Sequence, residues 1–416
     1  MKLENIQAAE QKLLLNTYER NPILFVSGHG VYLRDEAGND YLDLLSGIGV
    51  SALGYSHDAI ETAIIDQSSR LLHTSNLFFH PYTAELALRL TEISGLDRVF
   101  LCNSGTEAWE AALKLARAHS TQVREQGGKL GTKLLALEHS FHGRTMGSVA
   151  TTHKEKYRTP FAPVMPDVEF VRFNDVDDLR ANFSDDVCGI CIESIQGEGG
   201  IHPVSQEFFA AARELCDSTG ALLIADEIQC GFGRTGKWFG YQHFGIVPDV
   251  VTIAKPLAGG LPIGAMLCTE RAASAITPGM HGTTFGGGPL VCAVAIAVID
   301  EIKRGRLLDH VTEVGTYFMD QLRGLAKRHS CIAEVRGAGL MIGVEIDSAD
   351  LAKAVAAEML AQRIIINRTS ETVLRFLPPY ILEHMHVDIT IAALDAILTT
   401  NASYAGQAAP GEHAHG

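Results

Sequence analysis

The sequence predicts an α/β protein: a large domain built on a mainly parallel sheet flanked by helices, plus a smaller α+β domain. Three observations support this. Between about Arg98 and Cys268 short β-type runs alternate with helical patterns, which is how a parallel sheet covered on both faces reads. The 416-residue chain is too long for one ordinary single-core domain, so two associated domains are expected. The two flanks lack this alternation and read instead as hairpin, long helices and late strand material.

Along the chain, "GHGVYLRDEAGNDYLDLLSG" predicts a hairpin turning at Glu36, Ala37, Gly38 and Asn39. The central strands are "RVFLC", "KLLALE", "VEFVRF", "GICIES", "ALLIAD", "DVVTIA" and "GAMLC". Between them, "GTEAWEAALKLARAH" and "QEFFAAARELCDS" carry helical periodicity. After about Val291 long helical patterns lead to "VLRFLPPYI" and a last helix near Ile389–Leu398. The chain thus divides into an N-terminal segment joining the small domain (1–45), a large domain (46–290) and a C-terminal small domain (291–400). The tail 401–416 lacks apolar periodicity and is expected to be disordered. Its His413 and His415 are two lone imidazoles, and no metal is assigned to them.

Composition narrows the function. A formal charge of −15 without a Lys/Arg run makes nucleic acid and anionic membrane poor partners. No apolar run reaches the roughly 18–20 residues of a membrane-spanning helix. Eight scattered cysteines in a long chain without a leader-like start point to reduced thiols and a cytoplasmic location. Cys188 and Cys191 match C-x-x-C, but inside a buried-strand pattern, where positions three apart face opposite sides. "GFGRTGKW", Gly231–Trp238, matches both a dinucleotide fingerprint and most of a phosphate loop. Both need a strand directly before and a helix directly after. Here "DEIQC" intervenes on one side and "WFGYQHFGIVPD" makes a poor helix on the other, so the segment is read as a loop.

The chemistry begins at Lys255, which ends the apolar run "DVVTIAK" and precedes Pro256, Gly259 and Gly260. Taken singly, it reads as a lysine snorkelling to solvent from a strand end. Asp226, which ends "ALLIAD" 29 residues earlier, reads singly as a capping carboxylate. That interval has room for one helical crossover, which would set the two at the same edge of neighbouring strands. A third strand, "RVFLC", runs into Asn103, Ser104, Gly105, Thr106 and Glu107. Ser104 and Glu107 have capping-box spacing, and together with Gly105 they make an anion cradle at a helix N-terminus. An amine, a carboxylate and a phosphate cradle at one sheet edge suit pyridoxal 5′-phosphate (PLP).

These motifs resemble the class III (ornithine-type) aminotransferases of PLP fold type I, and among them the branch acting on N-acetylornithine. The likeness runs from "TYERNPILF" at 17 to "LRFLPPY" ending at 380, with "SNLFF", "LCNSGTEAWEAALKLAR", "SFHGRT", "ESIQGEGG", "ADEIQCGFGRTGKWF", "IAKPLAGGLPIGA" and "HGTTFGGGPL" in order between them. The resemblance implies that Lys255 carries PLP covalently, Asp226 pairs with its ring nitrogen and Gln229 with its phenolic oxygen. Phe141 stacks on the ring. Ser104, Gly105 and Thr106 cradle the phosphate, and Thr284 reaches the phosphate of a second subunit, which makes the protein a homodimer with shared sites. Arg144 clamps a substrate carboxylate in the bidentate way that suits arginine. Asn76 and Tyr18 lie at the substrate mouth, and His142 is left structural. Taken singly, Phe141 also reads as core, Arg144 as a surface cation and Asn76 as a cap.

The resemblance also implies that Glu198 pairs with Arg375 while the amino donor is bound and releases it to 2-oxoglutarate; a static buried ion pair is the alternative. Ile48 stands where a tyrosine marks ornithine-specific members, which suits a donor without a free α-amino group. Ser194 replaces a usual proline, and Gly288 a common asparagine. The implied reaction moves the terminal amino group of N²-acetyl-L-ornithine to 2-oxoglutarate, as in arginine biosynthesis. Rival donors are ornithine, succinylornithine, N-succinyldiaminopimelate and 4-aminobutyrate; a PLP racemase or decarboxylase on the same scaffold is more remote.

Overall fold

A computed structural model describes residues 2–407. At its centre lies a seven-stranded sheet in the order Arg98–Cys102, Gly264–Cys268, Val250–Ile253, Leu222–Asp226, Val187–Glu193, Lys133–Leu137, Val168–Val171. All seven runs picked out in the sequence pair in this sheet. Only Gly264–Cys268 runs against its two neighbours; the other pairings are parallel. The three strands Val187–Glu193, Leu222–Asp226 and Val250–Ile253 are buried throughout, which explains their unbroken apolar pattern. Helix Gly105–Glu125 packs on this sheet through Trp109, Ala112, Leu115 and Ala116, all buried. Helix Gln206–Thr219 covers Leu222–Asp226 and Val187–Glu193 and stops at Gly220, which adopts the left-handed conformation (φ 87°) usual after a helix end.

The predicted hairpin forms between Tyr32–Asp35 and Asp40–Asp43. Asp35 holds the turn, its Oδ1 accepting from the N–H groups of Ala37 and Asn39. This sheet is completed by Ile364–Ile365, which runs parallel to Asp40–Asp43. A further four-stranded sheet, Ile332–Ala338, Met341–Ile346, Val373–Phe376, Asn367–Thr369, packs against helix Leu307–Ala326. The last helix runs from His384 to Gln407, seven residues into the stretch expected to be disordered. Asn401 joins it by hydrogen bonding the Ile397 carbonyl and the Glu358 carboxylate. Residues 408–416, with His413 and His415, lie outside the described residues.

The link between Asp226 and Val250 differs from the crossover expected. It contains no α-helix, only the short 3-10 turn Gly240–His243. Buried groups hold it instead: Glu227 accepts from Ser194 Oγ at 2.6 Å and from the N–H groups of Gly240 and Tyr241. Gly231–Gly236 lies within this loop, without the following helix a phosphate loop needs. Cys188 and Cys191 are both buried as free thiols, and burial pushes the Cys188 thiol up to about 12. No helix among the described residues is long and apolar enough to cross a membrane.

Candidate active site

Every parallel strand of the sheet points its carboxyl end at one edge, where ligands of such sheets bind. Asp226 stands opposite Thr252 in the parallel register, and Lys255 follows three residues later, in the turn just past the end of the neighbouring strand. The strand ending at Cys102 delivers Asn103, Gly105 and Thr106; the one ending at Leu137 delivers Phe141, His142 and Gly143; the one ending at Glu193 delivers Glu193 itself. These residues, with Gln229, Glu198, Asp226 and Lys255, line a cavity of about 330 Å³.

Lys255 is partly buried and lines the cavity, yet its amine has no hydrogen-bond or ion-pair partner among the described residues. Desolvation lowers its ammonium pKa against the opposing pull of Glu198 and Asp226. An amine so placed is a poorer base and a better nucleophile than a solvated lysine. Asp226 is 4% exposed. Its Oδ2 accepts from His142 Nδ1 at 2.7 Å, and its Oδ1 from the Ile228 N–H at 3.1 Å and Thr252 Oγ1 at 3.4 Å. His142 is in turn stacked on Trp109, ring centroids 4.0 Å apart and nearly parallel. With Nδ1 given to Asp226, His142 Nε2 is buried without a partner.

At the head of helix Gly105–Glu125, Ser104 Oγ accepts from the Glu107 N–H, while Glu107 reaches back to the Asn103 N–H. Ser104 therefore spends its hydroxyl on the cap. The first-turn N–H groups of Gly105 and Thr106 have no intrahelical acceptor and remain for an anion. Thr106 Oγ1 is engaged by Thr145 and Ser148. Gly143 has φ 127°, and a Cβ there would press on Thr106 Oγ1 at 2.7 Å, so the turn after Phe141 needs a glycine.

Two further carboxylates complete the cavity. Glu193 bridges two loops, accepting from the Phe141 N–H and the Gly197 N–H at 3.0 Å each. Burial raises its pKa to about 7, and the neighbouring Asp226 adds to the rise. Glu198 meets Arg375 at 2.5 Å. Burial alone would raise Glu198, but the charge and hydrogen bond of Arg375 hold it below the usual carboxylate range. Arg375 comes from strand Val373–Phe376, is 1% exposed, and also donates to Asn367 Oδ1 and Gln229 Oε1. Gly197 allows Gln229 this position, since a Cβ there would lie 2.2 Å from Gln229 Oε1.

Six residues expected at the site do not line this cavity in the single chain: Ser104 and Arg375, which stand behind Glu107 and Glu198, and four that lie farther out. Tyr18 is exposed, with only Arg20 over its ring. Asn76 donates to the Thr283 and Gly286 carbonyls. Thr284 is exposed in the same segment. Arg144 is exposed and stacks on Tyr157. Sequence reasoning missed Glu193, Thr252 and Asn367 as neighbours of Asp226 and Arg375 and left His142 structural. The one local signal for His142 was its place beside Phe141; its contact with Asp226 spans 84 residues.

The donor set fits PLP: an unpartnered amine, a buried carboxylate fixed by an imidazole, and free N–H groups at a helix start surround one cavity. Comparison with known proteins agrees. The family model described as Aminotransferase class-III matches residues 15–398. The chain is 44% identical over 401 residues to the acetylornithine aminotransferase of Methanocaldococcus jannaschii, covering 96% of this chain and 99% of the relative. It is 44% identical over 386 residues to that of Aquifex aeolicus, covering 92% and 99%. The solved ornithine aminotransferase from Toxoplasma gondii ME49 superposes with a TM-score of 0.92 at 31% identity, covering 97% of this chain and 96% of that one. The acetylornithine aminotransferase structure from Elizabethkingia anophelis gives 0.84 at 28% identity, covering 96% and 100%. With the match spanning almost the whole chain, the protein belongs to the class-III aminotransferases, which are PLP-dependent enzymes.

Proposed function

We propose that the protein transfers the terminal amino group of N²-acetyl-L-ornithine to 2-oxoglutarate, giving N-acetylglutamate 5-semialdehyde and glutamate. The observation that carries this reading is the Glu198–Arg375 pair beside the Lys255 cavity. A two-substrate enzyme must bind a donor and an acidic acceptor in one place. A buried guanidinium is costly without a partner, so Glu198 holds Arg375 until the α-carboxylate of 2-oxoglutarate replaces it. The curated relatives named above support the donor.

When bound, PLP supplies an electron sink for bonds broken at the amine-bearing carbon. The chain supplies the rest. Lys255 would hold the cofactor through its amine, and its Nζ would move the proton at the amine-bearing carbon. Asp226, held by His142, would keep the ring nitrogen protonated, Gln229 would serve the phenolic oxygen and Phe141 would cover the ring. The Gly105 and Thr106 N–H groups would take the phosphate. Arg144 receives the donor carboxylate.

The reading includes a dimer. Leu77, Phe78, Phe79 and Phe285 are 85%, 69%, 105% and 67% exposed. Asn76, the ring contact of His73 with Phe285, and His80 on the Gly287 carbonyl knit the two segments into one apolar surface. Such a patch calls for a cover, and a second copy seated there would carry Thr284 toward a neighbouring site.

The test is a half-reaction. Holoenzyme without keto acid is mixed with N-acetylornithine, ornithine or 4-aminobutyrate, and the yellow absorbance is followed. Rapid loss with N-acetylornithine is expected. Loss only with another amine discards the donor; no loss with any of them, with proton exchange or CO₂ release instead, points to racemase or decarboxylase chemistry.

A further inference from the structure

Arg144 makes no hydrogen bond or ion pair with any carboxylate among the described residues. Its guanidinium instead lies 3.6 Å from the ring centroid of Tyr157 and 5.5 Å from that of Phe141. Phe141 lines the cavity and meets Tyr157 edge-on, at 6.2 Å and 84°. Lys156 and Lys154 bring their amines within 5.3 and 6.0 Å of the same ring. The Tyr157 hydroxyl has no hydrogen-bond partner among the described residues, so the ring face, not the phenol, is in use.

We propose that Tyr157 is a positioning residue for the donor's carboxylate: its ring seats the Arg144 guanidinium beside Phe141 so that the forked donors face the incoming anion. This rests on the reading of Arg144 given above and adds a residue to it. An exposed arginine on a loop has several rotamers to lose on binding. Stacking removes that freedom beforehand without occupying an N–H, because a cation–π contact uses the guanidinium face and leaves its edge open. A carboxylate partner would have fixed Arg144 equally well but blocked it. Lys154 and Lys156 add positive charge at the same ring in a chain of net charge −15, which favours a carboxylate arriving there.

The experiment measures the saturation constant and limiting rate of N-acetylornithine in its half-reaction with the PLP form of the holoenzyme. Tyr157→Leu is expected to raise the donor constant about 2- to 10-fold, the range of an exposed to partly desolvated cation–π contact. The limiting rate of that half-reaction should hold. Tyr157→Phe should restore the donor constant, and Tyr157→Leu on top of Arg144→Ala should add nothing. The proposal is overturned if Tyr157→Leu leaves the donor constant unchanged, lowers the limiting rate instead, or adds fully to Arg144→Ala. If Arg144→Ala itself leaves the donor constant unchanged, the underlying assignment of Arg144 falls as well.

Discussion

Glu193 gives the sharpest physical prediction. Its two carboxylate oxygens accept from the Phe141 and Gly197 N–H groups while facing Asp226 and His142 in a buried place. Its pKa of about 7 lies above the ordinary 4.5. A carboxyl raised in the folded state stabilises the protein fully below the unfolded pKa, and that contribution is lost as pH climbs through the folded one. The difference of roughly 2.5 units corresponds to about 3 kcal/mol, spent between about pH 4.5 and 7. Glu193→Gln removes the titration. It also turns one N–H acceptor into a donor, a cost of about 1–3 kcal/mol that does not depend on pH. Urea unfolding of cofactor-stripped wild type and Glu193→Gln at pH 5 and pH 8 separates the two effects. The variant's deficit should be largest at pH 5 and should shrink, or reverse, by pH 8. A deficit that is the same at both pH values, or grows with pH, would refute the reasoning.

Three other perturbations follow from the same geometry. Glu198→Ala leaves Arg375 with only Asn367 and Gln229; because Glu198 is partly exposed, the stability loss in urea should be about 1–3 kcal/mol rather than the full cost of a buried orphan charge. In the same variant 2-oxoglutarate should saturate at a lower concentration, since no carboxylate has to be displaced. His142→Phe keeps the stack on Trp109 and deletes the hydrogen bond to Asp226; steady-state turnover should fall about 5- to 150-fold at unchanged donor saturation, the worth of about 1–3 kcal/mol at a charged acceptor. Phe79→Asp sets a charge in the exposed apolar surface, and sedimentation should show a shift to monomer with loss of activity.

The sheet was legible because each of its strands is a short apolar run whose neighbours are helices or loops of different period, and burial on both faces erases alternation. The site was legible where its residues end strands: Lys255 and Asp226 are each conspicuous as a charge closing an apolar run, and a parallel sheet brings such ends to one edge. What stayed hidden depends on contacts across sequence. Nothing near Ser194 announces that its hydroxyl caps the buried Glu227, 33 residues on, in a loop that sequence spacing suggested was a helix. His142 looked like a neighbour of Phe141 because its bond to Asp226 and its stack on Trp109 exist only once three strand ends converge. Arg144 shows the same rule from the other side. An anion-binding role can be proposed for it from residue type and motif, but the ring of Tyr157 on which its guanidinium stacks, thirteen positions later, is a property of the folded surface. Groups that perform chemistry tend to break a local pattern; groups that hold them in place satisfy one, and become visible only through the distances between them.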